Sequence, residues 1–435
     1  MKLKEKIIPK EYLVPFVLIT SCFALWGFAN DITNPMVEAF SRIFNMGVGG
    51  GTWVQVVFYG GYGAMAFPAA FFIKRFSYKA GILTGLGLYA TGALLFIPAS
   101  AIGLYFPFLI AYFVMTCGLS FLETSANPYI LFMGSESTAT QRLNFAQAFN
   151  PMGSLTGMLV AKTLIQARLD PRGAAERASL SADKFEALKM SDLEILSSPY
   201  IAIGSVIIVV FLIILFLKMP KNDDSDHKIN FIGAVKKLWS VKRYREGVVA
   251  QLFYVGAQIM CWTFIVQYGQ RIFIEQYGMS AGDAAQKAQL YNIFAMSMFL
   301  VSRFICTFLL KYIQPGKLLM ILAIGGIGLS AGTILFQDII GLYCLVGISA
   351  CMSLMFPTIY GIALRGMGED AKFGAAGLIM SIVGGTFLPK MQAYIIDMKA
   401  IFNFPAVNLS FIIPLLCFVI IAIYGFRTAK IHLAV

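Results

Sequence analysis

LYFPFLIAYFVMTCGLSFLETSANPYILF, residues 104–132, carries one charged side chain, Glu123, in an otherwise uncharged and largely apolar run. A helix needs about 20 such residues to cross the hydrocarbon core of a bilayer. The pattern recurs on both sides, near 12–40, 50–73, 79–99, 143–166 and 199–218, then near 246–274, 286–310, 317–336, 339–363, 373–396 and 404–426. One apolar block is compatible with a signal peptide; twelve predict an all-α integral membrane protein with twelve transmembrane helices. Composition agrees, since 58% of the 435 residues are hydrophobic and 13% charged, against about half and a quarter in an average soluble domain.

The first block follows Lys2, Lys4, Lys6 and Lys10. No small-residue cleavage site followed by soluble sequence comes after it, so it reads as a retained first span. The net charge of +12 sits in short loops between apolar blocks, which points to orientation in a membrane rather than to a nucleic acid. Placing both termini in the cytoplasm gathers Lys74, Arg75, Lys79, Arg142, Lys311, Lys317, Arg365, Lys372, Arg427 and Lys430 on that side. A multi-pass protein of the bacterial inner membrane is the expectation.

The polar stretch 219–245 is a cytoplasmic linker that divides the chain into a six-helix half at 1–218 and another at 246–435. The first half contains an external segment, 167–198, of mixed charge. The halves repeat: Phe71-Phe72-Ile73-Lys74-Arg75-Phe76 after the second span matches Phe308-Leu309-Leu310-Lys311-Tyr312-Ile313 after the eighth. Asn127-Pro128-Tyr129-Ile130 likewise echoes Phe356-Pro357-Thr358-Ile359. In transporters built from such repeats the binding site lies near mid-membrane between the halves.

A carboxylate at membrane depth costs a few kcal/mol, about 3 on the lenient scale, so each one there needs a reason. Asp31 and Glu123 are the acids well inside apolar runs. His227 and His432 fall in the linker and the tail, which leaves these carboxyls as the candidates for carrying a proton. Burial disfavours the charged form of a carboxyl and lets it gain and lose a proton near neutral pH. The bland alternative is an ion pair with Lys162 or Arg303. Asn127 follows Glu123 by one helical turn, and Asn144, Gln147 and Asn150 recur every three residues in the fifth span. Such amides line a polar cavity or act as helix-to-helix glue. In the seventh span Tyr254, Gln258 and Trp262, and in the first Trp26, offer rings and hydrogen-bonding groups suited to a sugar. The Gly-rich run around Gly60-Gly61-Tyr62-Gly63 lacks the strand and the Gly-Lys-Ser/Thr of a phosphate loop and reads as close helix packing. The seven cysteines lie inside apolar blocks without metal-ligand spacing, no nucleophile–base pairing stands out, and neither metal, cofactor nor enzymatic activity is expected.

Taken together, Leu122-Glu123-Thr124-Ser125-Ala126-Asn127-Pro128-Tyr129, Arg142-Leu143-Asn144-Phe145-Ala146-Gln147-Ala148-Phe149-Asn150, Ser77-Tyr78-Lys79-Ala80-Gly81-Ile82 and Ala250-Gln251-Leu252-Phe253-Tyr254-Val255-Gly256-Ala257-Gln258 resemble the fucose permease branch of the major facilitator superfamily. The resemblance covers essentially the whole chain. It implies the major facilitator fold and proton-driven uptake of a monosaccharide, L-fucose first, with galactose, glucose and N-acetylglucosamine as alternatives. It also implies that Glu123 serves proton coupling and sugar binding with Asn150 close by; a monomer is the expected working form. One departure is visible: counted from Leu25-Trp26, the family pattern has an amide followed three residues later by an acid, whereas here Asp31 precedes Asn34. The two share a helical face, so the acid has either moved one turn with its role or lost that role. A non-transporting sugar sensor on the same fold is the rival of another class.

Overall fold

The computed structural model describes residues 7–33, 36–46, 51, 53–170, 172, 176–177, 179–219, 231–398, 400–401 and 404–431. Their helices are α1 Leu13–Thr33, α2 Met36–Ile43, α3 Trp53–Arg75, α4 Tyr78–Leu94, α5 Phe96–Ile102, α6 Tyr105–Phe132, α7 Ala139–Gln147, α8 Asn150–Val160 and α9 Ala182–Phe216. After the linker come α10 Phe231–Ser240, α11 Lys242–Glu275, α12 Ala281–Leu309, α13 Pro315–Leu335, α14 Ile339–Met352, α15 Met355–Leu364, α16 Ala371–Met380, α17 Gly384–Asp397, α18 Ala406–Leu409 and α19 Ile412–Ile431. A two-residue hairpin pairs Ala400 with Pro405 and Ile401 with Phe404.

Eleven stretches among the described residues are helical, long and apolar enough to cross a membrane. The remaining crossing of the twelve is residues 139–166, where α7, α8 and a π-helical turn, Ala161–Gln166, follow one another. Proline explains the break. Pro151, in the first turn of α8, has no N–H to give the carbonyl four residues back, Gln147. Pro199 inside α9 likewise deprives the Ile195 carbonyl of its helical partner, and the Ser198 hydroxyl donates to that oxygen at 3.0 Å. The segment expected to be an external cap is in part the start of α9. At 35 residues and about 1.5 Å per residue, that helix outreaches a bilayer core.

The chain divides into two compact units, one of Pro9–Ile130 with Phe149–Ile229 and one of Met1–Ile8, Leu131–Ala148 and Asn230–Val435. In the first, α1 packs on α8 and α4 on α9. Glycines set the α1–α8 approach: a side chain on Gly27 would strike the Asn150 carbonyl, and one on Gly153 the Ala24 carbonyl. Small residues let backbones meet in this way where apolar burial gives no drive between helices. The stretch between α8 and α9 is held by Arg177 and Asp192, both fully buried and paired at 2.5 Å. Asp192 also accepts the Asp170 main-chain N–H at 3.0 Å.

In the second unit α13 packs on α14 and α19, and α11 on α12 and α19. The last turn of α13 leaves carbonyls without helical donors. The Tyr268 hydroxyl donates to the Thr333 and Phe336 carbonyls at 2.9 and 2.8 Å, and Asn408 Nδ2 reaches that hydroxyl at 3.0 Å. α11, α13 and α18 are thereby knotted at one end.

Candidate functional site

The first unit carries its polar cluster on α6, where nearly every residue from Met115 to Ile130 is buried. Glu123 is 1% exposed, and neither carboxylate oxygen has a hydrogen-bond partner among the described residues. Lys162, a suspected ion-pair partner, is exposed. Opposite lies Tyr62 of α3, which sequence reasoning passed over as part of a glycine-rich packing run. Ser120 Oγ, one turn before Glu123, donates to the Tyr62 carbonyl at 3.3 Å and holds α3 in register. The Tyr62 hydroxyl faces the Glu123 carboxyl without closing a hydrogen bond to it, and the Trp26 indole N–H faces Tyr62 in the same way. Thr124 Oγ1 is a further buried group without a hydrogen-bond partner among the described residues. Asp31 is partly buried, and Tyr59, one turn before Tyr62 on α3, lies within electrostatic reach of it. Polar groups left unpaired at such burial are costly unless something fills them.

Other expected residues in this unit are engaged by protein. Asn127 Nδ2 donates to the Glu123 main-chain carbonyl at 3.1 Å, and Asn150 Nδ2 to the Phe23 carbonyl at 3.2 Å. Asn150 thus fixes α1 one turn before Trp26, and Tyr89 does the same at the Leu25 carbonyl, 2.9 Å away. Asn34 lies outside the described residues, as do His227 and His432.

The second unit holds another cluster. On α11, Tyr254 is fully buried, as is Gln251 one turn earlier, and neither the Tyr254 hydroxyl nor either Gln251 amide atom has a hydrogen-bond partner among the described residues. Gln258 is partly buried. Trp262 donates its indole N–H to Ser349 Oγ at 3.2 Å and meets Phe299 edge-on at 5.0 Å. Beyond that ring stands Arg303 of α12, 3% exposed, its guanidinium 4.5 Å over Phe299. Arg303 donates to the Gln147 carbonyl at 3.0 Å and to the Ser353 carbonyl. Gln147 stands four residues before Pro151, and Ser353 four before Pro357. The buried cation therefore occupies two carbonyls that prolines have released, with an aromatic face for the rest of its charge. The sequence signal was available: a lone arginine in an apolar span, and proline in two others.

Among the described residues no three His, Cys, Asp or Glu side chains come together as a metal site. What the geometry offers is one sequestered carboxyl beside hydroxyl and indole donors, and a separate set of buried aromatic and amide groups on α11.

The Major Facilitator Superfamily profile matches residues 19–389. The L-fucose-proton symporter of Haemophilus influenzae is 52% identical over 435 residues, 99% of this chain and 100% of that protein. The L-fucose-proton symporter of Escherichia coli is 33% identical, covering 96% of this chain and 93% of its own length. The crystal structure of the transporter FucP in the outward conformation superposes with a TM-score of 0.86 at 32% identity, across 96% of this chain and 99% of that one. The twelve crossings, the broken fifth span included, form a multi-pass membrane transporter fold, and the chain belongs to the Major Facilitator Superfamily, in its fucose permease branch.

Proposed function

We propose that this chain imports L-fucose together with a proton by alternating access, its moving halves being residues 1–218 and 246–435. The observation that carries the reading is Glu123, a carboxyl sequestered and unpartnered among the described residues in a chain 52% identical to an L-fucose-proton symporter. A carboxylate left alone at that depth is held far from its most stable environment. Taking up a proton there relieves the desolvation and shifts the balance between conformations. Tyr62 positions the carboxyl, Asp31 serves proton coupling beside Glu123, and Asn34 binds the sugar. Trp26, Asn127, Gln147, Asn150, Tyr254, Gln258 and Trp262 contact the sugar, the rings stacking on its C–H faces and the amides pairing its hydroxyls.

The chain works as a monomer in the bacterial inner membrane, with both termini in the cytoplasm, as the distribution of Lys and Arg between its loops supports. Proton and sugar are its cargo, and no resident cofactor takes part. The test is uptake of labelled L-fucose into proteoliposomes under an inward proton gradient, competed by a panel of monosaccharides. Accumulation that L-fucose suppresses and D-glucose or N-acetylglucosamine does not is the expected result. Preferential suppression by another sugar reassigns the substrate, and uptake indifferent to the gradient removes proton coupling.

A further inference from the structure

The helix α10 reads FIGAVKKLWS and has two unlike sides. Leu238 is buried against the protein, whereas Trp239 is 53% exposed and Lys236 is exposed. Lys236 and Trp239 are one turn apart and share a face. The helix stops at Ser240, and Val241 caps α11, a membrane span whose first turn holds Lys242, Arg243 and Arg245. This helix therefore sits where the chain enters the bilayer, at headgroup level.

The local charges are not balanced. Lys237 pairs with Asp370 at 2.6 Å, Glu246 is taken by Arg427, and Arg243 donates to the Arg365 carbonyl. Arg245 reaches back to the Trp239 carbonyl at 3.2 Å, which sets its guanidinium beside that turn of the helix. Lys236 and Lys242 have no ion pair or side-chain hydrogen bond among the described residues. An exposed indole flanked by unneutralised cations is poorly placed in water. It suits the membrane interface, where the ring lies among headgroups and the cations meet phosphate.

We propose that Lys236, Trp239, Lys242 and Arg245 form a headgroup site for an anionic phospholipid. The inference requires only that α10 lies at a membrane face and is independent of the sugar assigned above. Each cation near an anionic surface contributes about fivefold in affinity.

Purified protein is equilibrated with phosphatidylglycerol or phosphatidylcholine and read by native mass spectrometry. Phosphatidylglycerol is expected to be retained preferentially, and the K236Q/K242Q/R245Q variant to lose more than about tenfold of that preference. Equal retention of the two lipids, or a triple variant that keeps the preference, overturns the proposal. Should the triple variant fail to fold, each single variant is expected to lose about fivefold, and no loss from any of them is equally fatal. Brominated phosphatidylglycerol in nanodiscs should quench the emission that W239F removes. Emission untouched by the brominated lipid, or full competition by inorganic phosphate, contradicts a lipid site.

Discussion

Replacing Glu123 by Gln keeps the size and shape of the side chain and removes one exchangeable proton. Among the described residues the wild-type carboxyl makes no hydrogen bond, and it is 1% exposed, so the variant breaks no partnership there and is expected to fold. If this carboxyl carries one proton per sugar, a gradient of one pH unit supplies about 1.4 kcal/mol, which sustains about tenfold accumulation. The amide cannot release a proton, and the variant should stop at equal concentrations on the two sides. Exchange of labelled for unlabelled L-fucose at equal concentrations needs no net proton movement and should persist in E123Q. The assay measures both in proteoliposomes, exchange first to establish that the variant is competent, then uptake under the imposed gradient. An E123Q protein that exchanges sugar and still concentrates it about tenfold refutes the assignment of the proton to Glu123.

Trp26, which is buried, and Trp262, which is partly buried, should behave differently. Trp26→Phe deletes an indole N–H without a hydrogen-bond partner among the described residues, so KM for L-fucose should rise about tenfold while Tm stays put, whereas Trp262→Phe strands Ser349 and should lower stability by about 1 kcal/mol in thermal unfolding. Arg303→Lys should cost about 2 to 3 kcal/mol because one ammonium on a flexible stem cannot hold both proline-freed carbonyls and stack on Phe299 as the planar fork does; an unchanged Tm would contradict that role. Between α8 and α9, a hydrogen bond from Arg172 holds the Asp170 carboxyl down at about 2, below the roughly 3.9 of an unfolded chain. Its contribution is then complete above about pH 4 and lost as pH falls through about 2, so the Tm difference between wild type and D170N should be constant from about pH 5 to pH 8. A difference that grows across that range contradicts the pairing.

The fold was legible because a bilayer admits few solutions: blocks of about 20 apolar residues must be helices, and the blocks could be counted. What the count could not give was the interior of the fifth crossing, where Pro151 decides which carbonyl is freed and Arg303, far away in sequence, decides where it goes. Glu123 was legible for the same energetic reason, since a charge in an apolar run is an expense that invites explanation. Tyr62 was not, because its significance lies in facing Glu123 across two helices and its neighbours Gly60, Gly61 and Gly63 pointed to packing. Asn127 was read as a sugar contact from its place one turn after Glu123, and Trp262 from its depth in an apolar span; their protein neighbours were not legible. Both make protein hydrogen bonds, to the Glu123 carbonyl and to Ser349, which periodicity along one helix cannot reveal.

The account stands on the Glu123 carboxyl changing its protonation as the transporter turns over, and infrared difference spectroscopy on adding L-fucose observes that group itself. A carbonyl band of a protonated carboxylic acid that shifts with sugar in the wild type and is missing from E123Q is the predicted result. The same band persisting in E123Q, or a wild type whose carboxyl bands do not respond to sugar, would contradict it.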